Sequence, residues 1–241
     1  MNTTRHLTLP AWESVLAVVA HPDDESFGLG GVLSAFVSNR ARASVLCFTH
    51  GEASTVHGLP GDLHQLRARE LEQAAQALGL TDARILRYPD GELAGVCRSR
   101  LTGEIMDAAR QVHAEGILAF ASSGVTGHPD HAAATAAALA AAELLDLPVL
   151  GWTVPSTVAA MLNAEQQAAF VGAEPNDIDY RITVDRSRQR EAMAAHASQA
   201  VPSSIVWRRL DLLGDNEYLQ QLRAPARAAN APRRRGRRHG R

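Results

Sequence analysis

Two short segments hold the residues best suited to chemistry. His21-Pro22-Asp23-Asp24-Glu25 offers an imidazole and three carboxylates, and Gly127-His128-Pro129-Asp130-His131 offers two imidazoles and a carboxylate. Neutral imidazole and carboxylate are good ligands for a first-row divalent ion, and catalytic zinc takes three protein ligands and keeps one position for water. His21, Asp24 and His131 make such a set. Asp23 then stands free beside the metal to take a proton from water, and His128 is free to face a substrate oxygen or leaving nitrogen. Ordinary helix capping is the competing explanation: Asp24, Ser26 and Asp130 are all cap-type residues, and Pro129 suits a turn. Capping explains one such residue. It does not explain three His and three Asp in two Pro-containing turns.

Asp24 and His131 are 107 positions apart, so the fold must bring them together. Short apolar runs at 14–20, 43–49, 83–88, 116–121, 148–153 and 178–184 read as strands. Ala- and Leu-rich stretches at 28–40, 64–78, 98–115, 130–145, 159–170 and 187–198 read as helices, with Gly79 at a C-cap position. Residues 201–222 hold a short strand or loop and a last helix. This alternation predicts an α/β fold, a Rossmann-like three-layer sandwich with a mostly parallel central sheet. In a doubly wound sheet ordered 3-2-1-4-5, strands 1 and 4 are neighbours at the switch point where ligands bind. The two motifs follow those strands. No internal repeat and no domain boundary precedes about residue 223, so residues 1–223 read as a single domain and 224–241 as a basic, disordered tail.

Composition excludes several classes. No apolar run approaches the ~20 residues of a membrane span, and residues 1–12 lack the apolar core of a secretory signal, which makes the cytoplasm the expected location. Two cysteines are too few for a disulfide scaffold, and Cys47, inside an apolar run, reads as a buried free thiol. The chain contains no Lys; all 24 basic residues are Arg, and seven of them fall in 224–241. The remainder carries 17 Arg against 26 acids. An acidic body makes nucleic acid an unlikely partner.

The chain resembles the LmbE-like, or PIG-L, family of zinc-dependent N-acetylglucosaminyl deacetylases. The motifs Ala20–Glu25 and Gly127–His131 carry the resemblance. Thr49-His50-Gly51-Glu52-Ala53, Arg67 with Glu70 and Leu71, Asp90-Gly91-Glu92-Leu93 and His196-Ala197-Ser198-Gln199 extend it across roughly 14–200. The resemblance implies that His21, Asp24 and His131 bind one zinc ion per chain. It implies that Asp23 is the general base, His128 the electrostatic or general-acid residue, and Asp130 the residue that orients His128. It implies that Arg67 contacts substrate hydroxyls or a phosphate-like group; Glu25 reads either as support for a ligand or as a first-turn acid favoured by the helix dipole. The substrate class it implies is a small-molecule glycoconjugate bearing N-acetylglucosamine, which leaves as acetate and the free amino sugar. One departure stands out: some members carry Tyr where this chain has Thr126.

Other readings are open at this stage. The family also contains thiol-conjugate amidases. Two His and one carboxylate also describe a mononuclear Fe2+ oxygenase site, although a free Asp23 suits hydrolysis and the α/β pattern does not suit that class. A metal-stabilised module binding nucleic acid through the tail is the non-enzymatic alternative. A homo-oligomer is compatible with the sequence. Loops 51–63, 91–98, 122–127 and 153–177 are the expected seat of specificity, with His50, His57 and His64 flanking the first. Trp152 and Pro155 read as an apolar wall or as core, Arg208 and Arg209 as a solvated face, and His196 and Gln199 as structural.

Overall fold

Alternate residues of a strand point to opposite faces of its sheet, and the first strand is apolar at every position but its start. Val15, Ala17 and Val19 join one buried cluster while Leu16 and Val18 join another. Both faces of this strand are therefore covered. The computed structural model describes residues 6–56 and 62–225. Its strands are β1 (Ser14–Val19), β2 (Arg42–Thr49), β3 (Asp82–Tyr88), β4 (Gly116–Phe120), β5 (Val149–Thr153), β6 (Tyr180–Thr183) and β7 (Asn216–Arg223). Its helices are α1 (Asp24–Phe27), α2 (Gly30–Ser38), α3 (Leu63–Leu78), α4 (Arg98–Gln111), α5 (Pro129–Leu145), α6 (Ser156–Gln166), α7 (Ser187–Ala195) and α8 (Ile205–Leu213).

Among the described residues the strands form one sheet, ordered β3-β2-β1-β4-β5-β7-β6. β1 to β5 pair in parallel, with Val15 opposite both Ala43 and Gly116, and Ile117 opposite Val149. One face is covered by α2, α3, α6, α7 and α8, through residues such as Leu33, Leu71, Leu162, Ala192 and Leu213. The other is covered by α4 and α5, through Leu101, Ile105, Ala134 and Ala138. The three layers, the parallel centre and the 3-2-1-4-5 order are those expected. The chain turns back between β1 and β4, so the segments after these two strands meet at the carboxyl edge of the sheet. No helix among the described residues is long and apolar enough to cross a membrane.

Two expected elements differ. The helix expected at 28–40 begins earlier and is broken: α1 and α2 are separated at Gly28 and Leu29. A Cβ on Gly28 would lie 2.6 Å from the Phe120 ring, so the close approach of this turn to β4 requires glycine. The last expected helix ends early at Gly214 (φ 55°), and β7 follows, running antiparallel between β5 and β6. Its composition, with two Gln and an Asn, hides a period of two in which Glu217 and Leu219 are buried. Glu217 accepts the Trp152 indole N–H at 2.7 Å and pairs with Arg186 at 2.5 Å. Trp152 is thus core. Arg209, expected at a solvated face, is buried over the Trp152 ring, 5.0 Å from its centroid, and donates to the Phe27 carbonyl. Arg208 is half-buried and pairs with Glu165.

The expected disordered tail lies almost entirely outside the described residues, as does His57. Cys47 is buried and Cys97 exposed, both as free thiols.

Candidate metal centre and active site

The first motif leaves β1 as a tight turn into α1, and the second leaves a loop after β4 as the start of α5. Across that junction His21 Nδ1 stands 3.2 Å from His131 Nε2. His131 Nε2 lies 3.1 Å from Asp24 Oδ1, and His21 Nδ1 lies 3.6 Å from Asp24 Oδ2. Zinc bonds of about 2.0–2.1 Å in a tetrahedron place ligand atoms about 3.3–3.4 Å apart. The His21–His131 distance and the His131–Asp24 Oδ1 distance lie close to that spacing.

The surroundings fix which atoms are free to bind. Asp24 Oδ2 accepts the backbone N–H of Ala20 at 3.2 Å and of His21 at 3.0 Å, leaving Oδ1 available. His131 Nδ1 lies 2.8 Å from the Thr126 hydroxyl and 3.2 Å from the Gly124 carbonyl. A carbonyl can only accept, so Nδ1 carries the ring proton and Nε2 keeps its lone pair. His21 Nε2 lies 3.0 Å from Asp90 Oδ1 and 3.4 Å from Asp130 Oδ2, neither aligned well enough with the ring N–H to make a hydrogen bond. Burial opposes a charge on His21, yet Asp130, Asp90, Asp24 and Asp23 outweigh it and lift its pKa to about 10. The field at this point demands positive charge. Burial works against the Asp24 carboxylate too, but His131 and His21 hold its pKa well below the usual range. His21, Asp24 and His131 form a group that suits a metal ion.

A second cluster, His21 with His128 and Asp130, is similarly compact. Its chemistry differs. His128 is the N-cap of α5, and its Nδ1 accepts the Asp130 N–H at 3.2 Å. The proton of the neutral ring therefore sits on Nε2, which makes that atom a donor rather than a ligand. Burial first, then the charges of His21 and His131, hold the His128 pKa below its ordinary value.

Asp23 lines the same cavity as the first cluster. Its carboxylate accepts from Arg67 Nη2 at 2.8 Å. Burial raises its pKa, the Arg67 charge opposes and Asp24 adds to the rise, and the result is about 6. His21, Asp23, Asp24, Arg67, His128 and His131 line one cavity of about 580 Å3, with Asp90, Thr126 and Gln199 in its wall.

The model of the family described as "PIG-L: GlcNAc-PI de-N-acetylase" matches residues 16–142. The chain belongs to the PIG-L family. It is 30% identical over 190 residues to a probable N-acetyl-alpha-D-glucosaminyl L-malate deacetylase 2 from Bacillus anthracis, covering 77% of this chain and 80% of that one. It is 30% identical over 195 residues to a 1D-myo-inositol 2-acetamido-2-deoxy-alpha-D-glucopyranoside deacetylase from Streptomyces griseus, covering 69% of this chain and 60% of the relative. Among solved structures, the A40926 pseudoaglycone deacetylase Dbv21 superposes with a TM-score of 0.68 at 20% identity, over 87% of this chain and 96% of that one.

Several PIG-L residues take positions the sequence did not reveal. Asp130 was expected to orient His128, but its carboxylate accepts the backbone N–H of Gly91 at 2.8 Å and of Leu93 at 3.0 Å, and faces His21. Only its backbone N–H meets His128. Arg67 was expected to meet the substrate. It lines the cavity, but it is buried and donates to the carbonyls of Pro22 and Gly51 as well as to Asp23. Gly51 (φ 64°) admits it, since a Cβ there would overlap the guanidinium. One expectation for Glu25 was support of a ligand. Its oxygens instead meet the Asp23 N–H, the Ser26 hydroxyl and His196.

Asp90, quoted in the sequence only as part of the resemblance and given no role there, belongs to the site. It faces His21 with one oxygen and accepts the Ala53 N–H at 2.9 Å with the other. Its position in a Pro-Asp-Gly turn at the end of a strand, on the same edge as both motifs, was the available signal. Of the expected specificity loops, 51–63, 91–98 and 122–127 contribute to the cavity wall and 153–177 does not. Gln199, bonded to the Ser54 hydroxyl at 2.8 Å, takes part instead. His50 and His64 line a separate cavity with Glu52 and Arg87.

Proposed function

We propose that this protein is a zinc-dependent N-deacetylase. It hydrolyses the acetamide of a small N-acetylglucosamine-type conjugate to acetate and the free amino sugar. The observation that carries this reading is the meeting of His21, Asp24 and His131 with Asp23 and His128 in one cavity. The names of the Bacillus anthracis and Streptomyces griseus relatives support it, since each describes deacetylation of an N-acetylated glucosamine linked to a polar aglycone.

Hydrolysis of an amide needs a deprotonated water, a partner for the oxyanion and a proton for the leaving amine. When bound, zinc supplies Lewis acidity and lowers the pKa of a coordinated water to about 7. Asp23 accepts the proton of the attacking water, and the Arg67 contact holds its carboxylate in place. The carbonyl oxygen gains negative charge as the water adds, and the neutral His128 ring donates from Nε2 to it. Protonated Asp23, with a pKa near 6, then passes its proton to nitrogen as the C–N bond breaks. One carboxylate serves in turn as base and acid. Asp90 and Asp130 set negative charge beside His21 Nε2, while its Nδ1 faces Asp24 and His131.

The test is a panel of N-acetylglucosamine conjugates scored for free amine and acetate with zinc-loaded protein, with and without a chelator. We expect release from at least one conjugate, abolished by chelation and restored by zinc. Release that survives complete metal removal refutes the metal role. His131→Ala should lose bound metal by elemental analysis, and unchanged zinc content would refute the ligand set.

A further inference from the structure

We infer that Glu25 and His196 form a buried clip that holds the backbone of Asp23 in its working position, so that both are positioning residues. The inference rests on the reading of Asp23 as the base.

Asp23 has φ 119° and ψ −27°, a backbone conformation that L-residues rarely adopt. Such a conformation is strained and persists only where its surroundings over-determine it. Its side chain makes no cap hydrogen bond to α1, so the helix does not hold it there through the carboxylate. Two grips do. Arg67 takes the carboxylate and the preceding carbonyl. Glu25 takes the backbone, its Oε2 accepting the Asp23 N–H at 2.9 Å.

Glu25 is 0% exposed, and a buried carboxylate stays where its donors hold it. Its other oxygen accepts the Ser26 hydroxyl at 2.5 Å and His196 Nε2 at 2.7 Å. His196 comes from 171 positions away and is itself 0% exposed, edge-on to Phe27 at 5.8 Å. The turn that carries it is anchored in its own right. Ser198 donates its N–H and its hydroxyl to Glu70, at 2.8 and 2.7 Å, and Glu70 lies one turn beyond Arg67 on α3. The helix that holds the Asp23 carboxylate thus also anchors the residue that holds its backbone. An ion pair that served only to fill the core would have no reason to end on this particular N–H.

The experiment compares His196→Leu, which removes the donor, with His196→Gln, which keeps an N–H. The zinc-loaded full chain is used with whichever conjugate the parent turns over. For His196→Leu we expect kcat to fall at least about tenfold, with KM within about twofold and zinc content at parent level. The Asp23 amide should exchange with deuterium at least about tenfold faster by NMR, with β1 amides unaffected. His196→Gln should recover most of both losses. Unchanged exchange and kcat in His196→Leu would overturn the clip, and so would loss of zinc in step with activity. Should His196→Leu fail to fold, Ser26→Ala takes a different donor from the same carboxylate. Faster Asp23 exchange with lower kcat and full zinc would then support the clip, and parent-like exchange and kcat would overturn it. Asp23→Asn separates the two claims. If it stays active, the reading of the base fails. If it is inactive while the His196 variants behave like the parent in kcat and exchange, only the clip fails.

Discussion

The two His-Pro-Asp turns look alike in sequence and are built oppositely. In the first, the N-cap residue is Asp23, its backbone is at φ 119°, and its carboxylate makes no cap bond. In the second, the N-cap residue is His128, its backbone is ordinary at φ −77°, and its ring caps α5. The second turn places its acid, Asp130, on backbone N–H groups of the neighbouring loop. The first leaves its acid, Asp23, lining the cavity, held by Arg67 from α3. One turn accepts backbone strain to keep a carboxylate free. The other uses its side chains to brace structure and offers one ring N–H to the cavity.

The contrast breaks most severely at Asp23. Asp23→Ala should retain metal and lose about 10^2–10^4-fold in kcat, the range general-base removal costs. Parent-like turnover with metal present would remove Asp23 from the chemistry. At the second turn two functions can be separated. His128→Ala should lower kcat about 10^2-fold through the lost donor, and destabilise the fold by about 1 kcal/mol through the lost cap. His128→Asn, a good cap, should restore the melting temperature without the parent kcat. An equal effect of both variants on stability would show that the cap contributes nothing.

A pH profile sharpens the same comparison. The base works as the carboxylate, so kcat should fall as pH drops through the Asp23 pKa. Burial lifts that pKa to about 6, and a bound cation would lower it, so the acid limb belongs at or below pH about 6. A limb well above that value would point to another group. The smallest effect is expected at Thr126, whose hydroxyl meets His131 Nδ1. Thr126→Val should weaken zinc binding by about tenfold, measured by chelator competition, with Gly124 still orienting the ring.

Much of the site could be read in the sequence because it consists of residue types at fixed short spacings after two strands. His21, Asp24 and His131 needed only the sheet order to bring them together, and that order follows from strand–helix alternation. What escaped were relations between distant residues that composition does not encode. The partner of Glu25 is 171 positions away, and Asp130 turns from its neighbour His128 toward residues 91 and 93. Arg209 was misread for a similar reason: beside Arg208 it looks like solvated charge, yet the helix phase turns it inward onto Trp152. β7 was missed because its Gln and Asn carry little strand propensity, and burial between two neighbours outweighs that propensity.

The placement of β7 has a consequence for how this chain reaches its final form. β7 is the last of these strands to leave the ribosome, yet it lies inside the sheet, between β5 and the edge strand β6. While residues 216–223 are still unsynthesised, β6 has only the bridge from His6 to Tyr180, Arg186 lacks its carboxylate, and the Trp152 indole lacks its acceptor. The nascent protein must therefore wait for β7 before the sheet can close. A truncation or fusion that disturbs this segment would leave the buried Arg186 without its carboxylate, one side chain away from the first turn, since Gln189 bridges Arg186 and the Ser26 carbonyl.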